Sequence, residues 1–381
     1  MSGNVPAIRF VGFTEPWEQR KARDIFEIMD DRGHPELPVL SATQDLGMIR
    51  RDDSGRYVGH NASNEAGYKR VIPGSFVVHL RSFQGGFAHS PIEGITSPAY
   101  TVFAARFPSS QSDRFWKHWF MSPRFIHDLG TVTYGIRDGR SINVDEFMDT
   151  LQAYPSFEEQ KLIGLTLDCL DSLITLHQRK HDQLATLKKS LLDKMFPKPG
   201  SDVPEIRFVG FTEPWEQRKL GELASEFQSG DFIPASDIAD SGPYPVYGGN
   251  GLRGYTDHYN HDGLYALIGR QGALCGNVNS ADGKAYFTEH AVAVSANERN
   301  DTGFMLYLLG RMNLGQYSSQ SAQPGLAVGV LKAVETFVPD KSEQRAISSL
   351  FTRLDSLITL HQRKHDQLAK LKKSLLDKMF V

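Results

Sequence analysis

The sequence lacks the features that mark disulfide-built, metal-bound and membrane-spanning proteins. Its 381 residues include two cysteines, Cys169 and Cys275, which lie far apart and form no CxxC pattern. We therefore expect neither a disulfide framework nor a structural zinc site. We also expect the protein to reside in a reducing compartment. No apolar run approaches the length of about 18 residues that suggests a membrane span, and no signal-like segment opens the chain. The expectation is a soluble, cytoplasmic protein that contacts no membrane.

An excess of positive charge is also missing. The chain has 42 Lys and Arg against 45 Asp and Glu, a net charge of −3 at pH 7. Any face that binds nucleic acid would therefore have to be local.

Common catalytic signatures are absent as well. The chain has no GxxxxGK[ST] phosphate loop, no HExxH zinc motif, no GxSxG elbow and no dinucleotide-binding fingerprint. The Asn/Asp-Pro-Pro-Tyr/Phe box of amino-methyltransferases is absent too. Acidic residues in Glu158–Lys161 and Pro339–Arg345 could suggest a nuclease, but both stretches open a long helical pattern, and we attribute the carboxylates to the helix dipole. We predict no catalytic residue and no metal ligand.

What the chain does contain is a long helical segment that occurs twice. Leu170–Phe196 reads LDSLITLHQRKHDQLATLKKSLLDKMF, and Leu354–Phe380 differs from it only at Lys370, which replaces Thr186. Neither copy contains Pro or Gly, and leucines recur with heptad-like spacing. The prolines at 155 and 339 predict that the helices begin near Phe157 and Lys341. Each would then have about 40 residues and a length of about 60 Å.

A second repeat precedes each unlike part of the chain. Val5–Lys21 reads VPAIRFVGFTEPWEQRK, and Val203–Lys219 differs from it at one position. We call these segments the lead-ins, and we expect them to bury aromatic side chains, with a helix or strand beginning just after each. The segments between lead-in and long helix, about 22–154 and 220–338, both read as strands with Gly-rich turns followed by an apolar helix.

This order of parts predicts an α+β protein. We expect two mixed α/β target-recognition globules in a pseudo-twofold arrangement, separated by two long antiparallel helices that form a coiled-coil-like spacer. The predicted division is residues 1–155 for the first globule with its lead-in, 156–196 for the first long helix, 197–202 for a Pro/Gly linker, 203–339 for the second globule with its lead-in, and 340–381 for the second long helix.

Polar and basic residues on the loops of the two globules are the candidates for binding. Arg suits guanine edges and Asn or Gln suits adenine edges, and neighbouring glycines let a backbone approach a ligand closely. A solvated loop residue is the alternative for each one, but as a set on two unlike globules they favour base reading. The candidate DNA-binding residues are Ser41, Thr43, Gln44, Arg50, Arg51, Arg81, Ser82, Gln84, Arg137, Arg140, Tyr247, Asn250, Arg253, Arg270, Gln271, Lys284, Tyr286, Gln320 and Gln323.

Several motifs together resemble the DNA-specificity subunit of type I restriction–modification systems. They are the lead-in at Pro204–Leu220, the P-x3-EQ start at Pro339–Gln344 and the repeated helix, with YPVYGGNG, IGRQGALCGNV, LSATQDLGMI and RSFQGG with SPAYTVF in the globules. The first lead-in departs at Ala22, where the second has Leu220. The resemblance covers nearly the whole chain.

The resemblance implies a chain that selects a DNA sequence and catalyses nothing. Each globule would read one half of a bipartite, asymmetric double-stranded target, and the helix pair would set the gap and dock two methyltransferase (modification) subunits. No cofactor would bind this chain. S-adenosylmethionine, ATP and Mg would belong to the methyltransferase and the restriction/translocase subunits, whose work is DNA methylation and phage defence.

Two other functions remain as alternatives. A non-enzymatic coiled-coil scaffold or adaptor with two protein-binding domains would show no sequence-dependent DNA binding, even with its partners present. A stand-alone bipartite transcription regulator would be expected to carry a helix-turn-helix or similar reader, and the sequence shows none.

Overall fold

The structure is a computed structural model that describes residues 5–43, 46–55, 62–78, 86–130, 133–134, 141–272, 274–318 and 325–381. The chain divides into two units: unit 1 is Met1–His177 with Arg363–Val381, and unit 2 is Gln178–Gln362. Within the described ranges, no helix combines the length and the apolar composition that crossing a bilayer requires.

Unit 1 is built on an antiparallel four-stranded sheet. Its strands follow the order β2-β9-β6-β7, and the hairpin β3–β4 and the pair β5–β8 lie beside it. The elements of unit 1 are β1 (Glu18–Lys21), α1 (Ala22–Ile25), β2 (Phe26–Met29), β3 (Leu40–Thr43), β4 (Gly47–Arg50), β5 (Lys69–Val71), β6 (Phe76–Val78), β7 (Phe87–His89), β8 (Gly94–Thr96), β9 (Thr101–Ala105), α2 (Asp113–Trp119), α3 (Pro123–Leu129), β10 (Thr133–Tyr134), β11 (Ser141–Ile142), α4 (Val144–Asp149), β12 (Leu151–Tyr154) and the first part of α5 (Phe157–Lys194).

Unit 2 has an antiparallel sheet of the same strand order. It runs β14-β20-β17-β18, and a three-stranded sheet, β16-β15-β19, accompanies it. The elements of unit 2 are β13 (Glu216–Lys219), α6 (Leu220–Leu223), β14 (Ala224–Ser229), β15 (Tyr244–Gly248), β16 (Gly251–Thr256), β17 (Tyr265–Gly269), β18 (Val278–Ala281), β19 (Tyr286–Phe287), β20 (Ala291–Ala296), α7 (Thr302–Arg311), α8 (Val328–Ala333), β21 (Glu335–Val338) and the first part of α9 (Lys341–Lys378).

The lead-ins form a strand earlier than the sequence predicts. The strand lies inside the lead-in, at Glu18–Lys21 in unit 1 and at Glu216–Lys219 in unit 2, and it pairs antiparallel with the strand that precedes the long helix. The expected burial of aromatic side chains is confirmed for Trp17 and Trp215, each 3% exposed.

Each lead-in is also fixed to its long helix by a buried ion pair. Arg9 donates two hydrogen bonds of 2.7 Å to the carboxylate of Glu159, and Arg207 binds Glu343 with the same two distances. The hydrogen bonds to these carboxylates raise the pKa of both arginines. Both carboxylates lie in the first turn of their helices, as the helix-dipole interpretation expects, and each also has a guanidinium partner that lies far away in the sequence.

A buried glutamine follows each of these glutamates. In unit 1 the Gln160 side chain accepts from Ser112 N and donates to Pro155 O, both at 2.9 Å. The Gln344 side chain does the same in unit 2 with Asp301 N and Pro339 O. The P-x3-EQ motif is thus a structural motif that anchors the start of each long helix to the preceding proline and to the N-cap residue of α2 or α7.

The long helices begin at Phe157 and Lys341, as the prolines predict, and each has 38 residues. Both units contain the first part of one helix and the last part of the other. In unit 2, Lys188 pairs with Asp355, and the ring of Phe196 lies 6.3 Å from that of Phe351. The two segments therefore run antiparallel there. In unit 1, Lys372 pairs with Asp171 in the corresponding way.

Candidate nucleic-acid interface

Three connections of unit 2 meet at one end of its sheets. They are the β15–β16 turn at Gly248–Gly251, the β17–β18 connection after Gly269, and the residues Thr288–His290 between β19 and β20. Arg270 N donates to His290 O at 2.9 Å, and Thr288 N donates to Tyr247 O at 2.9 Å. We call this group the three-loop cluster.

Glycines allow this close approach. A Cβ atom placed on Gly249 would lie 2.8 Å from His290 O, and one on Gly269 would lie 2.4 Å from Gly249 O. Such distances exclude any larger residue unless the backbone moves. The Gly-rich YGGNG segment is therefore needed to bring the first turn against the second connection.

The cluster presents several of the predicted residues. Asn250, Arg253 and Gln271 are exposed, and Arg270 is half-buried. The Arg270 backbone is fixed on both sides, because its N–H donates to His290 O and its carbonyl accepts from Leu326 N at 2.9 Å. Among the described residues, no carboxylate pairs with the guanidinium of Arg253 or Arg270. These two groups and the two amides can therefore donate to an external ligand.

The β17–β18 connection differs from the predicted tight turn at Arg270–Gly272. β17 ends at Gly269 and β18 begins at Val278, so the connection is longer. It includes Gln271, which forms a bridge with Gly325.

Lys284 and Tyr286 have partners outside the three-loop cluster. The Lys284 ammonium lies 4.7 Å from the centre of the Tyr259 ring. Tyr286 is 6% exposed, and its hydroxyl donates to Phe232 O at 3.0 Å. Burial raises the pKa of Tyr286, so its phenol remains a neutral donor inside the unit. Tyr247 is half-buried with its ring centre 6.2 Å from that of Phe287, at the edge of the cluster.

The described candidates of unit 1 lie on the β3–β4 hairpin and just after it. Thr43 closes the turn, because its hydroxyl donates to Gly47 O at 2.7 Å and accepts from Leu46 N at 3.1 Å. Ser41 is half-buried within the hairpin, and Arg50 and Arg51 lie at its other end. The remaining candidates lie outside the described residues: Gln44, Arg81, Ser82, Gln84, Arg137, Arg140, Gln320 and Gln323.

Sequence reasoning missed His290 and Glu289 in the three-loop cluster. The His290 Nε2 atom lies 3.2 Å from Glu289 Oε1, and both side chains are partly exposed. The signal was available, because Thr288-Glu289-His290 is a polar triplet between two apolar strands.

A group of titratable side chains in unit 1 has a geometry that could suit a metal ion. Ligand atoms of His118, Asp168 and Asp171 all lie within 4.8 Å of one another. Lys117 and Lys372 already bind these carboxylates, however. Burial opposes the ionisation of Asp168, but hydrogen bonds from His118 and Lys117 hold its pKa well below the usual range. Cations of the chain thus supply the charge that a metal ion would.

Comparisons with known proteins agree with this architecture. Residues 212–370 match the family described as the Type I restriction modification DNA specificity domain. The chain is 44% identical over 146 residues to the EcoprrI specificity subunit of a type I restriction enzyme from Escherichia coli, a match that covers 37% of this chain and 36% of the relative. It is 25% identical over 259 residues to the MjaVIII specificity subunit from Methanocaldococcus jannaschii, covering 58% and 59% of the two chains.

The chain therefore spans between about a third and three-fifths of the length of these curated relatives. A crystal structure of the S subunit of a type I restriction–modification system from M. genitalium superposes with a TM-score of 0.65, at 16% identity, over 99% of both chains. At this identity the superposition establishes the shared fold.

Proposed function

We propose that this chain, whose residues 212–370 belong to the type I restriction modification DNA specificity family, is the subunit that selects the DNA target of such a complex. Unit 2 would read one half of a split, asymmetric target with the three-loop cluster, and unit 1 the other half with its own loops. The observation that carries the proposal is the repeated sheet order with unlike loops. One scaffold presents two different sets of side chains.

The chemistry of the three-loop cluster supports base reading. Arg270 and Arg253 provide guanidinium forks, which pair with the O6 and N7 atoms of guanine in the major groove. Asn250 and Gln271 provide amides, which pair with N6 and N7 of adenine. The fixed backbone at Arg270 limits how much conformational freedom a bound base would have to remove.

The remaining activities would belong to partner proteins. Two methyltransferase subunits would bring S-adenosylmethionine and modify the DNA, and restriction subunits would bring ATP and Mg for translocation and cleavage. This chain would then be non-catalytic and would hold no cofactor. Partner subunits would also supply phosphate contacts, which agrees with the net charge of only −3.

The test is the methylated motif of a host that carries this gene, compared with a host that lacks it. We expect a new two-part motif in the first host. Arg270→Ala should relax one base position of one half-site and leave the other half-site unchanged. The expected loss of discrimination is about 1–3 kcal/mol, or about fivefold to 150-fold.

Lys284→Ala is the matched control, because it removes a cation of unit 2 that contacts the ring of Tyr259 and, within the described part of the chain, no residue of the cluster. We expect it to leave the motif unchanged. If Arg270→Ala and Lys284→Ala weakened binding equally on every DNA sequence, the cluster would contact phosphate and would not read bases. If no motif depended on the gene, the chain would not select DNA.

A further inference from the structure

The first part of α5 has a second apolar face. Its residues are spaced by three, four, four and three positions, so at 100° per residue they lie within an arc of about 80°. All of them belong to unit 1. We call this face the leucine stripe, and it consists of Leu162, Leu165, Cys169, Leu173 and Leu176.

The leucine stripe is not part of the core of unit 1. The buried residues of this segment are Ile163, Gly164, Leu167 and Leu170, and they lie on another side of the helix. The four leucines of the stripe are between 37% and 50% exposed, and Cys169 is exposed as well. A contiguous row of exposed apolar side chains on a folded unit is typical of a surface that binds another protein.

The second long helix carries only part of this stripe. The positions equivalent to Leu173 and Leu176 are Leu357 and Leu360, which are 42% and 48% exposed. The other three positions are polar or small: Ala346, Ser349 and Arg353. All five belong to unit 2. The chain therefore contains one long apolar surface on α5 and one short surface on α9, at corresponding positions of two otherwise similar helices.

The spacing of the stripe defines what fits it. Positions three and four residues apart on one helix face accept an amphipathic helix that lies alongside. Because the exposed leucine pair occurs in both long helices, the partner should be one that binds in two copies. A second copy of this chain could pair with the stripe in a single contact and would leave Leu357 and Leu360 without a function.

We propose that the two methyltransferase subunits dock on unequal surfaces, the first through an amphipathic helix on the leucine stripe of α5 and the second, more weakly, on Leu357 and Leu360 of α9. This inference rests on the proposed function. The stripe buries four leucines, whereas the surface of α9 buries two and must also desolvate the guanidinium of Arg353 at the position of Cys169. Assembly should therefore be stepwise, with a populated one-to-one complex.

Titration with the cognate methyltransferase subunit tests the order of binding in the full-length chain. Native mass spectrometry gives the stoichiometry, and hydrogen exchange gives the site. At one equivalent, we expect protection of residues 160–176 and little protection of residues 344–360. At excess partner, both segments should be protected. Equal protection of the two segments at every ratio would overturn the proposal.

The chain itself provides matched variants, because each surface can be given the residues of the other. The triple variant Leu162→Ala, Leu165→Ser and Cys169→Arg gives α5 the surface of α9. We expect it to weaken binding of the first copy by about tenfold or more and to remove the order of protection. All three positions are exposed, so folding should be unaffected, and circular dichroism checks this.

The reciprocal variant Ala346→Leu, Ser349→Leu and Arg353→Cys should strengthen binding of the second copy until the one-to-one complex disappears. Failure of both variants to change the stoichiometry would exclude these faces as docking sites. Protection of residues 160–176 that rises with the concentration of the chain alone would assign the stripe to self-association and overturn the proposal. Absence of any binding of the methyltransferase would contradict the proposed function itself.

Discussion

The core of unit 1 is largely aromatic, whereas the core of unit 2 is largely aliphatic. Behind the sheet of unit 1, Phe26 lies against Phe103 and Trp116 with ring centres 5.3 and 4.9 Å apart. The corresponding side of unit 2 is filled by residues such as Ile268 and Val294. The strand order is nevertheless the same. A sheet thus accepts many combinations of apolar side chains, provided that volume and alternation are kept.

The residues that hold the lead-in and the long helix behave differently. Arg9 and Glu159 recur as Arg207 and Glu343 with equal hydrogen-bond lengths. A buried carboxylate needs its own cation in one geometry, so neither residue can change alone. The two units therefore differ in the apolar residues of the sheet but share this buried ion pair. We call the pairs Arg9–Glu159 and Arg207–Glu343 the ionic anchor.

A third pair of positions shows how the two units solve one packing problem. In unit 1, Gly164 of α5 lets the helix approach Arg114, because a Cβ on Gly164 would lie 2.8 Å from Arg114 Cβ. In unit 2 the glycine is on the other partner: Gly303 of α7 faces Ser348 of α9. Both units therefore have this close contact between helices, but the glycine that permits it belongs to the long helix α5 in unit 1 and to the short helix α7 in unit 2.

The largest expected effect comes from breaking the ionic anchor. Arg9→Ala leaves Glu159 buried without its partner and should lower the free energy of unfolding of unit 1 by about 3–5 kcal/mol. Arg207→Ala should do the same in unit 2. Urea denaturation with hydrogen exchange as the readout assigns the loss to each unit.

Arg20→Ala is the control for this anchor, because the Arg20–Glu18 pair is about half exposed on both sides. Its removal should leave the free energy of unfolding nearly unchanged, because solvent screens an exposed ion pair. If Arg9→Ala lowered the free energy of unfolding no more than Arg20→Ala does, the buried ion pair would contribute no more than a surface pair. The contrast with the adaptable sheet would then fail.

A smaller effect is expected from replacing Gly164 of unit 1 by serine, the residue that unit 2 has at the equivalent position, Ser348. Gly164→Ser should destabilise unit 1 by about 1–3 kcal/mol, because the added atoms collide with Arg114. The double variant with Arg114→Gly copies unit 2 at both positions. It should be more stable than the sum of the single changes predicts, by at least about 0.5 kcal/mol. Strictly additive free energies in the cycle would show that the two positions do not compensate.

The smallest effect concerns pH. His118 of α2 and Tyr307 of α7 occupy equivalent positions, because each lies six residues after the N-cap of its helix, Ser112 or Asp301. Burial lowers the pKa of His118 despite its hydrogen bond to Asp168. Below pH 6.5 the unfolded chain binds a proton that the folded unit does not, so stability falls by at most about 1.4 kcal/mol per pH unit until the folded pKa is reached.

Burial and Asp355 raise the pKa of Tyr307 to about 12, so this phenol does not titrate in that range. His118→Tyr should therefore reduce the loss of stability between pH 7 and pH 5.5, measured by urea denaturation. Equal pH slopes for the wild-type protein and the variant would assign the acid sensitivity to other groups.

The repeats and their helices were predictable because they depend on local patterns. Prolines 155 and 339 predicted the helix starts, and the extent of the repeated segment from those starts predicted a length close to the 38 residues observed. The partners of Glu159 and Glu343 were not predictable in this way, because 150 and 136 residues separate each carboxylate from its arginine. No local pattern encodes such a pairing.

The candidate site shows the same limit. Composition identified Asn250, Arg270 and Gln271, which the fold brings to one end of unit 2. It also identified Tyr286, which is buried between Ala285 and Phe287 and belongs to the core. Residue type could not separate these cases, since the direction of each side chain depends on the register of the strands.

The division of the chain has a consequence for biosynthesis. Unit 2 is continuous in sequence, whereas unit 1 is completed by Arg363–Val381, after all of unit 2 has been translated. At typical elongation rates this adds a delay on the order of ten seconds. Until Phe380 has been synthesised, three aromatic rings of unit 1 lack the contact with it that they have in the folded protein. These are the rings of Trp17, Phe115 and Trp119. The nascent first unit should therefore be a client for chaperones, although it is the first part of the chain to leave the ribosome.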